Sequence, residues 1–224
     1  MRTKSNGITR SAKICILPAT HVLFSNMKIV LATHNRHKVE EIRKILSDLP
    51  IELLSLDNFH EIGEIIEDGR TLEENARKKA RTVFEKTGLI SLADDTGLEV
   101  DALGGRPGVY SARYAGEKAT YEENNKKLLR ELKDIPLDKR TATFSCAISI
   151  FGNGVNEIAI GEVPGRILNE ARGKNGFGYD PLFLPDGYDA SYAEMDSELK
   201  NKLSHRARAL EEAKKILTRI AGNR

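Results

Sequence analysis

Short apolar runs alternate with amphipathic helical patterns from Met27 onward. Residues 28–33 and 51–56 each have the length and composition of a buried strand. Between these two runs, apolar residues recur at helical spacing: Val39, Ile42, Ile45, Leu46 and Leu49. A capping box at Thr71 and Glu74 starts a second helix, Gly88 ends it, and residues 89–93 form a third apolar run. Strands and helices in alternation predict an α/β fold.

The second half of the chain has the pattern of a long β-hairpin. Apolar and polar side chains alternate over residues 141–151, and the turn Gly-Asn-Gly at 152–154 joins them to a strand over 155–161. The other predicted elements are a helix after the capping box at Thr120 and Glu123, a strand near 181–184 and a helix over 204–220. We therefore expect an elongated mixed β-sheet flanked by helices.

Charge and composition narrow the class of function. The 224 residues carry a formal net charge of +2, which gives no basic face for sequence-independent binding of nucleic acid. No apolar run approaches the ~20 residues of a membrane span. Two cysteines, Cys15 and Cys146, are too few for a disulfide framework. We expect a cytoplasmic protein that binds neither nucleic acid nor membrane.

Residues 1–26 differ from the rest of the chain. A polar, basic stretch is followed by a short apolar run that Pro18 and His21 interrupt. This order is that of a signal peptide, but the interrupted run and the missing small-x-small cleavage site argue against one. We expect residues 1–26 to be an N-terminal extension outside the catalytic fold, and residues 27–224 to form the functional domain.

Four segments carry polar residues that a simple fold does not require, and the first is a loop between a strand and a helix. Its residues are Thr33, His34, Asn35, Arg36, His37 and Lys38. Backbone amides, the helix dipole and Lys38 favour an anion at this place, although an ordinary N-capped loop is the alternative. The chain has no G-x-x-x-x-G-K-[ST] sequence, which disfavours a P-loop kinase or GTPase.

The second segment is a pair of acidic residues directly after the third apolar run. Asp94 and Asp95 repel each other unless a cation or hydrogen-bond donors compensate. Magnesium binds carboxylate and phosphate oxygens and is the natural partner. Thr96 and Gly97 suit a contact with phosphate or ribose. A solvated turn is the alternative.

The third segment is the helix over 71–87, in which Lys78 and Lys79 follow the acidic residues Glu64, Glu67 and Asp68. A charge run of this kind is usually a solvated face. The helix leads into the strand before Asp94, however, so one of the two lysines is placed to reach the same pocket.

The fourth segment lies near the C-terminus in two parts. Glycines flank Phe177, which lets its ring approach a planar ligand such as a nucleobase. Ser204 is a suitable N-cap that would place His205 and Arg206 in the first turn of the last helix. Both side chains can donate hydrogen bonds to a carbonyl oxygen. A glycine-rich hairpin and an ordinary capped helix are the alternatives.

Taken together, five motifs in this order resemble those of the inosine/xanthosine triphosphate pyrophosphatase family. They are ATHNRHK, EDGRTLEENARKKA, LADDTGLEVDALGGRPGVYSARY, GFGYDPLF and LSHRARAL, over about residues 27–221. The resemblance implies an elongated mixed sheet in two lobes with a central cleft, usually in a homodimer. It also implies magnesium-dependent hydrolysis of the deaminated purine nucleoside triphosphates ITP, dITP and XTP to the monophosphate and pyrophosphate.

The resemblance further implies a role for individual residues. Asp95 would hold magnesium and accept the proton of the attacking water, and Glu67 would be the other metal carboxylate. The phosphate loop would consist of Thr33, His34, Asn35, Arg36, His37 and Lys38, with Lys79 facing the triphosphate and Thr96 contacting substrate. The base and sugar would be bound by Phe177, Gly178, Tyr179, Asp180, Lys200, His205 and Arg206.

Two departures and two alternatives accompany the resemblance. His34 occupies a position that is often glycine in the family, which limits the backbone freedom of the loop, and the N-terminal arm has no counterpart. One alternative is a Maf-type nucleotide pyrophosphatase acting on pyrimidine or modified nucleotides, whose base pocket would not be expected to carry FGYDP and SHR. The other is a non-catalytic nucleotide sensor, which loss of Asp95 or Lys38 would favour, and both residues are present.

Overall fold

The computed structural model of the protein describes residues 27–222, and the prediction for residues 1–26 lies outside them. Within this range, seven strands form one mixed sheet in the order β2-β1-β3-β5-β6-β7, with β4 paired to β3. The strands are β1 (Met27–Leu31), β2 (Ile51–Ser55), β3 (Ile90–Val100), β4 (Pro107–Gly108), β5 (Thr141–Gly152), β6 (Val155–Ile167) and β7 (Phe183–Pro185). The helices are α1 (Arg36–Ile45), α2 (Leu72–Thr87), α3 (Tyr121–Glu131), α4 (Ser197–Leu203) and α5 (His205–Gly222).

The pairing of the strands confirms the predicted mixed sheet and the α/β class. β1 lies parallel to both β2 and β3, whereas the pairs β3–β4, β3–β5, β5–β6 and β6–β7 are antiparallel. The predicted hairpin is formed by β5 and β6, and β6 continues to Ile167, beyond the predicted end at residue 161. α4 was not predicted. The division into two lobes stays a prediction.

At the N-termini of α2, α3 and α5, the capping residues are those predicted from the sequence. At the start of α3, Thr120 and Glu123 form the reciprocal capping box. At the start of α2, Thr71 Oγ1 accepts a hydrogen bond from the amide of Glu74. The carboxylate of Glu74 accepts a hydrogen bond from the amide of Arg70, whereas a capping box predicts the amide of Thr71. Ser204 accepts the amide of Ala207, so it caps α5 as predicted.

Helices cover both faces of the sheet. α1 and α5 pack on one face, over Ile29, Leu31 and the apolar residues of β5. α2 packs on the other face, over Val30 and Ala93. A third cluster joins the far ends of β3, β5 and β6 to α3 and β7. The first turns of α1 and α5 both lie beside β3, where Lys38 and Arg206 contact Asp94.

β3 pairs with different strands along its length, and this leaves a gap in the sheet on one side of β3. Residues 90–92 pair with β1, which ends at Leu31, and the next partner on that side is β4, at Leu98 and Glu99. On the other side, β5 pairs with β3 continuously from Ser91 to Val100. The expectation that Asp94 and Asp95 follow the strand was therefore wrong: they lie within β3, because the ladder with β5 keeps it extended. They border the gap between β1 and β4.

No helix among residues 27–222 is both long enough and apolar enough to cross a membrane.

Candidate functional site

A cavity of about 820 Å³ lies at this gap in the sheet. The loop after β1, the middle of β3, the loop before α2, the glycine-rich loop before β7 and the first turn of α5 surround it. All the predicted site residues line this cavity except Arg36 and His37. The structure therefore brings together side chains that are far apart in sequence.

The loop after β1 forms one end of the cavity. Asn35 caps α1, because its Oδ1 accepts the amides of His37 at 3.1 Å and Lys38 at 3.4 Å. His34 pairs with Asp57 at 3.0 Å at the exposed rim. Among the described non-glycine residues, only Asn153 has a positive φ. His34 therefore fits the loop without the backbone freedom of glycine.

Two carboxylates meet at one lysine beside this loop. Lys79 Nζ lies 2.6 Å from Glu67 Oε1 and 2.9 Å from Asp95 Oδ1. Burial opposes the charge of Lys79, but Asp95 and Glu67 outweigh it and raise the pKa of the ammonium. Burial raises the pKa of Asp95 despite the attraction of Lys79. In Glu67 burial is outweighed by Lys79, which lowers the pKa of this carboxyl.

Asn75 connects Asp95 to the loop that carries Glu67. This asparagine is fully buried on the inner face of α2. Its Nδ2 donates to Asp95 Oδ2 at 3.1 Å, and its Oδ1 accepts the amide of Gly69 at 2.8 Å. Asn75 therefore ties the loop that carries Glu67 to Asp95.

Asp94 has a different environment from its neighbour. It is completely buried and absent from the cavity lining. Its Oδ2 lies 3.1 Å from Lys38 Nζ and accepts hydrogen bonds from Arg206 Nη2 at 3.1 Å and Nε at 3.2 Å. Although burial opposes ionisation, Lys38 and Arg206 hold the pKa of Asp94 well below its usual range. Asp94 orients the two cations.

Arg206 and Lys200 share a second carboxylate at the other end of the cavity. Glu41, on α1, lies 2.5 Å from Arg206 Nη1 and 2.8 Å from Lys200 Nζ. Lys200 also lies 2.6 Å from Asp180. In Glu41 the two cations outweigh burial and lower the pKa, whereas in Asp180 burial prevails over Lys200 and raises it.

His205 contributes a buried imidazole that lines the same end of the cavity. Its ring stacks on Phe144 with centroids 4.2 Å apart. Neither ring nitrogen has a hydrogen-bond partner among the described residues. Burial and the neighbouring Arg206 lower the pKa of His205, so the ring is neutral. A neutral imidazole offers one N–H donor and one acceptor to a ligand.

Glu41 and Asn75 were not predicted as site residues, and Asp94 was considered with Asp95 as a candidate magnesium pair but was given no role of its own. Asn75 and Lys79 are four residues apart on the buried face of α2, and polar residues at apolar positions are a recognisable signal. Glu41 gave a weaker signal, since it stands one turn after Lys38 among other charged residues of α1.

Glu67 and Asp95 are suitable ligands for a divalent cation. Both present a carboxylate oxygen to the same point, which the Lys79 ammonium contacts in this structure. Carboxylates that converge in this way suit a hard cation that also binds phosphate oxygens. Within residues 27–222, no group of three or more His, Cys, Asp or Glu side chains is arranged to hold a metal ion.

Comparisons with known proteins agree on one family. The model of the Ham1 family matches residues 29–216. A dITP/XTP pyrophosphatase from Thermoanaerobacter pseudethanolicus is 50% identical over 195 residues, which cover 87% of this chain and 98% of that protein. One from Geobacter sulfurreducens is 52% identical over 184 residues, or 82% and 92% of the two chains.

Solved structures give the same result. A HAM1 protein from Coxiella burnetii superposes with a TM-score of 0.79 at 42% identity, covering 86% of this chain and 99% of that one. The Ham1 protein of Staphylococcus aureus gives a TM-score of 0.77 at 36% identity, covering 85% and 98%.

Proposed function

Because the chain belongs to the Ham1 family, we propose that it hydrolyses the non-standard purine nucleoside triphosphates ITP, dITP and XTP to the monophosphate and pyrophosphate. The reaction removes deaminated purines from the nucleotide pool. The observation that carries the proposal is the cavity itself. Residues for a phosphate end (Lys38, Lys79, Glu67 and Asp95) and for a base end (Phe177, Lys200, His205 and Arg206) line one cavity, and Lys38 and Arg206 meet at Oδ2 of Asp94.

At the phosphate end, Lys38 and Lys79 offset the roughly four negative charges of a triphosphate. Glu67 and Asp95 would hold a magnesium ion, which would supply Lewis-acid stabilisation of phosphate charge and a lower pKa for bound water. Lys79 contacts both of these carboxylates, so its ammonium lies next to the position that such a cation would take.

Asp95 accepts the proton of the attacking water at a carboxylate oxygen. Burial raises its pKa, which brings its basicity closer to that needed at neutral pH. Asn75 donates to Oδ2, so this oxygen is held in a fixed direction and Oδ1 faces the cavity side with Lys79. A positioned base of this kind typically contributes about 10²–10⁴-fold to the rate.

At the base end, hydrogen-bond polarity at purine position 6 selects the substrate. Hypoxanthine and xanthine carry an acceptor oxygen at this position, and adenine carries a donor amino group. Arg206, Lys200 and the N–H of His205 are donors, so they suit an acceptor oxygen and cannot accept a hydrogen bond from the amino group of adenine. A site of this kind discriminates by up to about 10⁴-fold.

Three further parts of the proposal rest on family membership. We propose that residues 27–224 form the pyrophosphatase domain, that the enzyme is a homodimer, and that it acts in the cytoplasm, where the nucleotide pool is. Light scattering of the purified protein tests the dimer. Nothing in the described residues favours the Maf-type alternative.

The proposed function is tested by measuring pyrophosphate release from ITP, XTP, GTP and ATP, each with magnesium and with excess chelator. We expect rapid release from ITP and XTP that chelation abolishes. Turnover of ATP as fast as ITP would contradict the selectivity, and turnover that survives chelation would contradict the metal.

Arg206→Ala tests the role of the base end. We expect a larger loss of kcat/KM for ITP than for ATP, because both substrates lose the support that Arg206 gives to Asp94 and Glu41, whereas only the 6-oxygen also loses a donor. Equal losses on both substrates would show that Arg206 serves the structure alone.

A further inference from the structure

Phe177 needs support that its own loop does not supply. It stands between Gly176 and Gly178, which have φ of +72° and +63°, in a loop without helix or strand. Three hydrogen bonds hold the backbone here. The amide of Phe177 donates to Asp180 Oδ2 at 2.7 Å, the amide of Asp180 donates to the carbonyl of Phe177 at 3.2 Å, and Asn125 Nδ2 donates to the carbonyl of Gly178 at 3.0 Å. None of these bonds fixes the rotation of the aromatic ring.

The ring is held instead by contacts with other elements. The imidazole of His37 stacks on it with centroids 5.1 Å apart and planes 13° apart. The ring of Tyr121, at the start of α3, packs near that of Phe177, with centroids 5.9 Å apart. The hydroxyl of Tyr121 accepts a hydrogen bond from Asn35 Nδ2 at 3.2 Å. His37 therefore makes the only near-parallel ring contact that Phe177 has among the described residues.

His37 contacts Phe177 without being part of the cavity lining. Phe177, Lys200 and Arg206 all line the cavity, and the two cations lie 4.9 Å and 5.6 Å from the ring centroid. His37 does not line the cavity and is exposed. The imidazole therefore contacts the ring of Phe177 but not the space in which a base would bind.

The position of His37 is itself well fixed. It lies in the first turn of α1, and its amide bonds the capping side chain of Asn35. The same turn carries Lys38, whose ammonium lies at the phosphate end. The contact between His37 and Phe177 therefore connects the base end of the cavity to the first turn of α1, which carries Lys38.

We propose that His37 is a positioning residue, which contacts no substrate and holds Phe177 in the orientation in which a purine stacks on it. The proposal rests on the proposed function, and it changes the role that family resemblance implies for His37, that of a phosphate-loop residue. The requirement is for a flat ring at position 37, and the imidazole nitrogens are dispensable.

Kinetics of three variants test the proposal. We expect His37→Ala to raise KM for ITP about threefold to tenfold with kcat within twofold, because aromatic pairs of this kind have coupling energies of that size. His37→Phe keeps the stack without the nitrogens and should restore KM. Glu40→Ala, an exposed change on the same helix, is the control for effects on α1, and thermal unfolding of each variant confirms folding.

A higher KM in both His37→Ala and His37→Phe would overturn the proposal, since it would mean that the imidazole nitrogens bind substrate. An unchanged KM in His37→Ala would overturn it as well.

A fluorescence measurement tests the stack without nucleotide. The chain has no tryptophan, so Phe177→Trp introduces a unique fluorophore. We expect lower steady-state anisotropy and faster acrylamide quenching when His37→Ala is added to this variant, and unchanged values would overturn the proposal. If the wild-type protein released no pyrophosphate from ITP, the proposed function would fail while this measurement still decided whether His37 positions the ring.

Discussion

Asp94 and Asp95 are neighbours in β3, yet their surroundings predict that their asparagine variants fail in different ways. Asp94 is 0% exposed and accepts bonds from Lys38 and Arg206 through one oxygen. Asp95 is 5% exposed, lines the cavity and shares Lys79 with Glu67. We expect Asp94→Asn to lose mainly stability and Asp95→Asn to lose mainly activity.

The sizes of the two effects follow from the partners that remain. Asp94→Asn leaves the buried Arg206 with Glu41 alone and removes the ion-pair partner of the partly buried Lys38, and breaking a buried pair from one side costs about 3–5 kcal/mol. For a chain of this size this lowers Tm by roughly 6–20 °C. In Asp95→Asn, Lys79 keeps Glu67, and the replaced carboxylate was itself disfavoured by burial. We therefore expect a change in unfolding free energy below about 1 kcal/mol, with kcat lower by about 10²–10⁴-fold.

Urea unfolding at neutral pH and pyrophosphate release from ITP measure the two quantities on the same preparations. The reasoning is refuted if Asp95→Asn unfolds as easily as Asp94→Asn. It is refuted equally if Asp94→Asn keeps wild-type stability, because its two ion pairs would then contribute nothing.

Two further predictions concern the support of the site. Gly161→Ala places a Cβ against the backbone of His205 and Ala209, so α5 must move away from β6, and we expect a lower Tm together with a higher KM for ITP. Arg140→Met removes the buried guanidinium that donates to the carbonyls of Leu132, Ile135 and Leu168. We expect a loss of about 3 kcal/mol in urea unfolding with an unchanged KM, since Arg140 does not line the cavity.

Most strands and helices could be predicted from the sequence because their patterns are local. Capping side chains and alternating apolar residues act within a few positions, as at Thr120 and along β5. The length of β3 could not be predicted, since the carboxylates at 94 and 95 interrupt its apolar run. Pairing with β5, whose residues lie 42 to 60 positions farther along the chain, decides that the strand continues.

The site residues also divide into those that local motifs predict and those whose position depends on tertiary packing. Motifs indicated residues that line the cavity, such as Lys79 and Arg206. They did not indicate Glu41, whose role exists only because α1 packs against α4 and α5. A glutamate on an amphipathic helix normally faces solvent. Only the tertiary structure places this one beside Lys200 and Arg206, 159 and 165 positions away.

The contacts of α1 explain how a choice of base can affect the chemistry at phosphorus. Lys38 at the phosphate end and Arg206 at the base end bind one oxygen of Asp94. Glu41 on the same helix bonds Arg206, and His37 stacks on Phe177. A base that misaligns Arg206 therefore disturbs Asp94 and, through it, Lys38. Selectivity for the 6-oxo purines should accordingly be expressed in kcat as well as in KM, since a site that only bound the correct base more tightly would leave the rate at saturation unchanged.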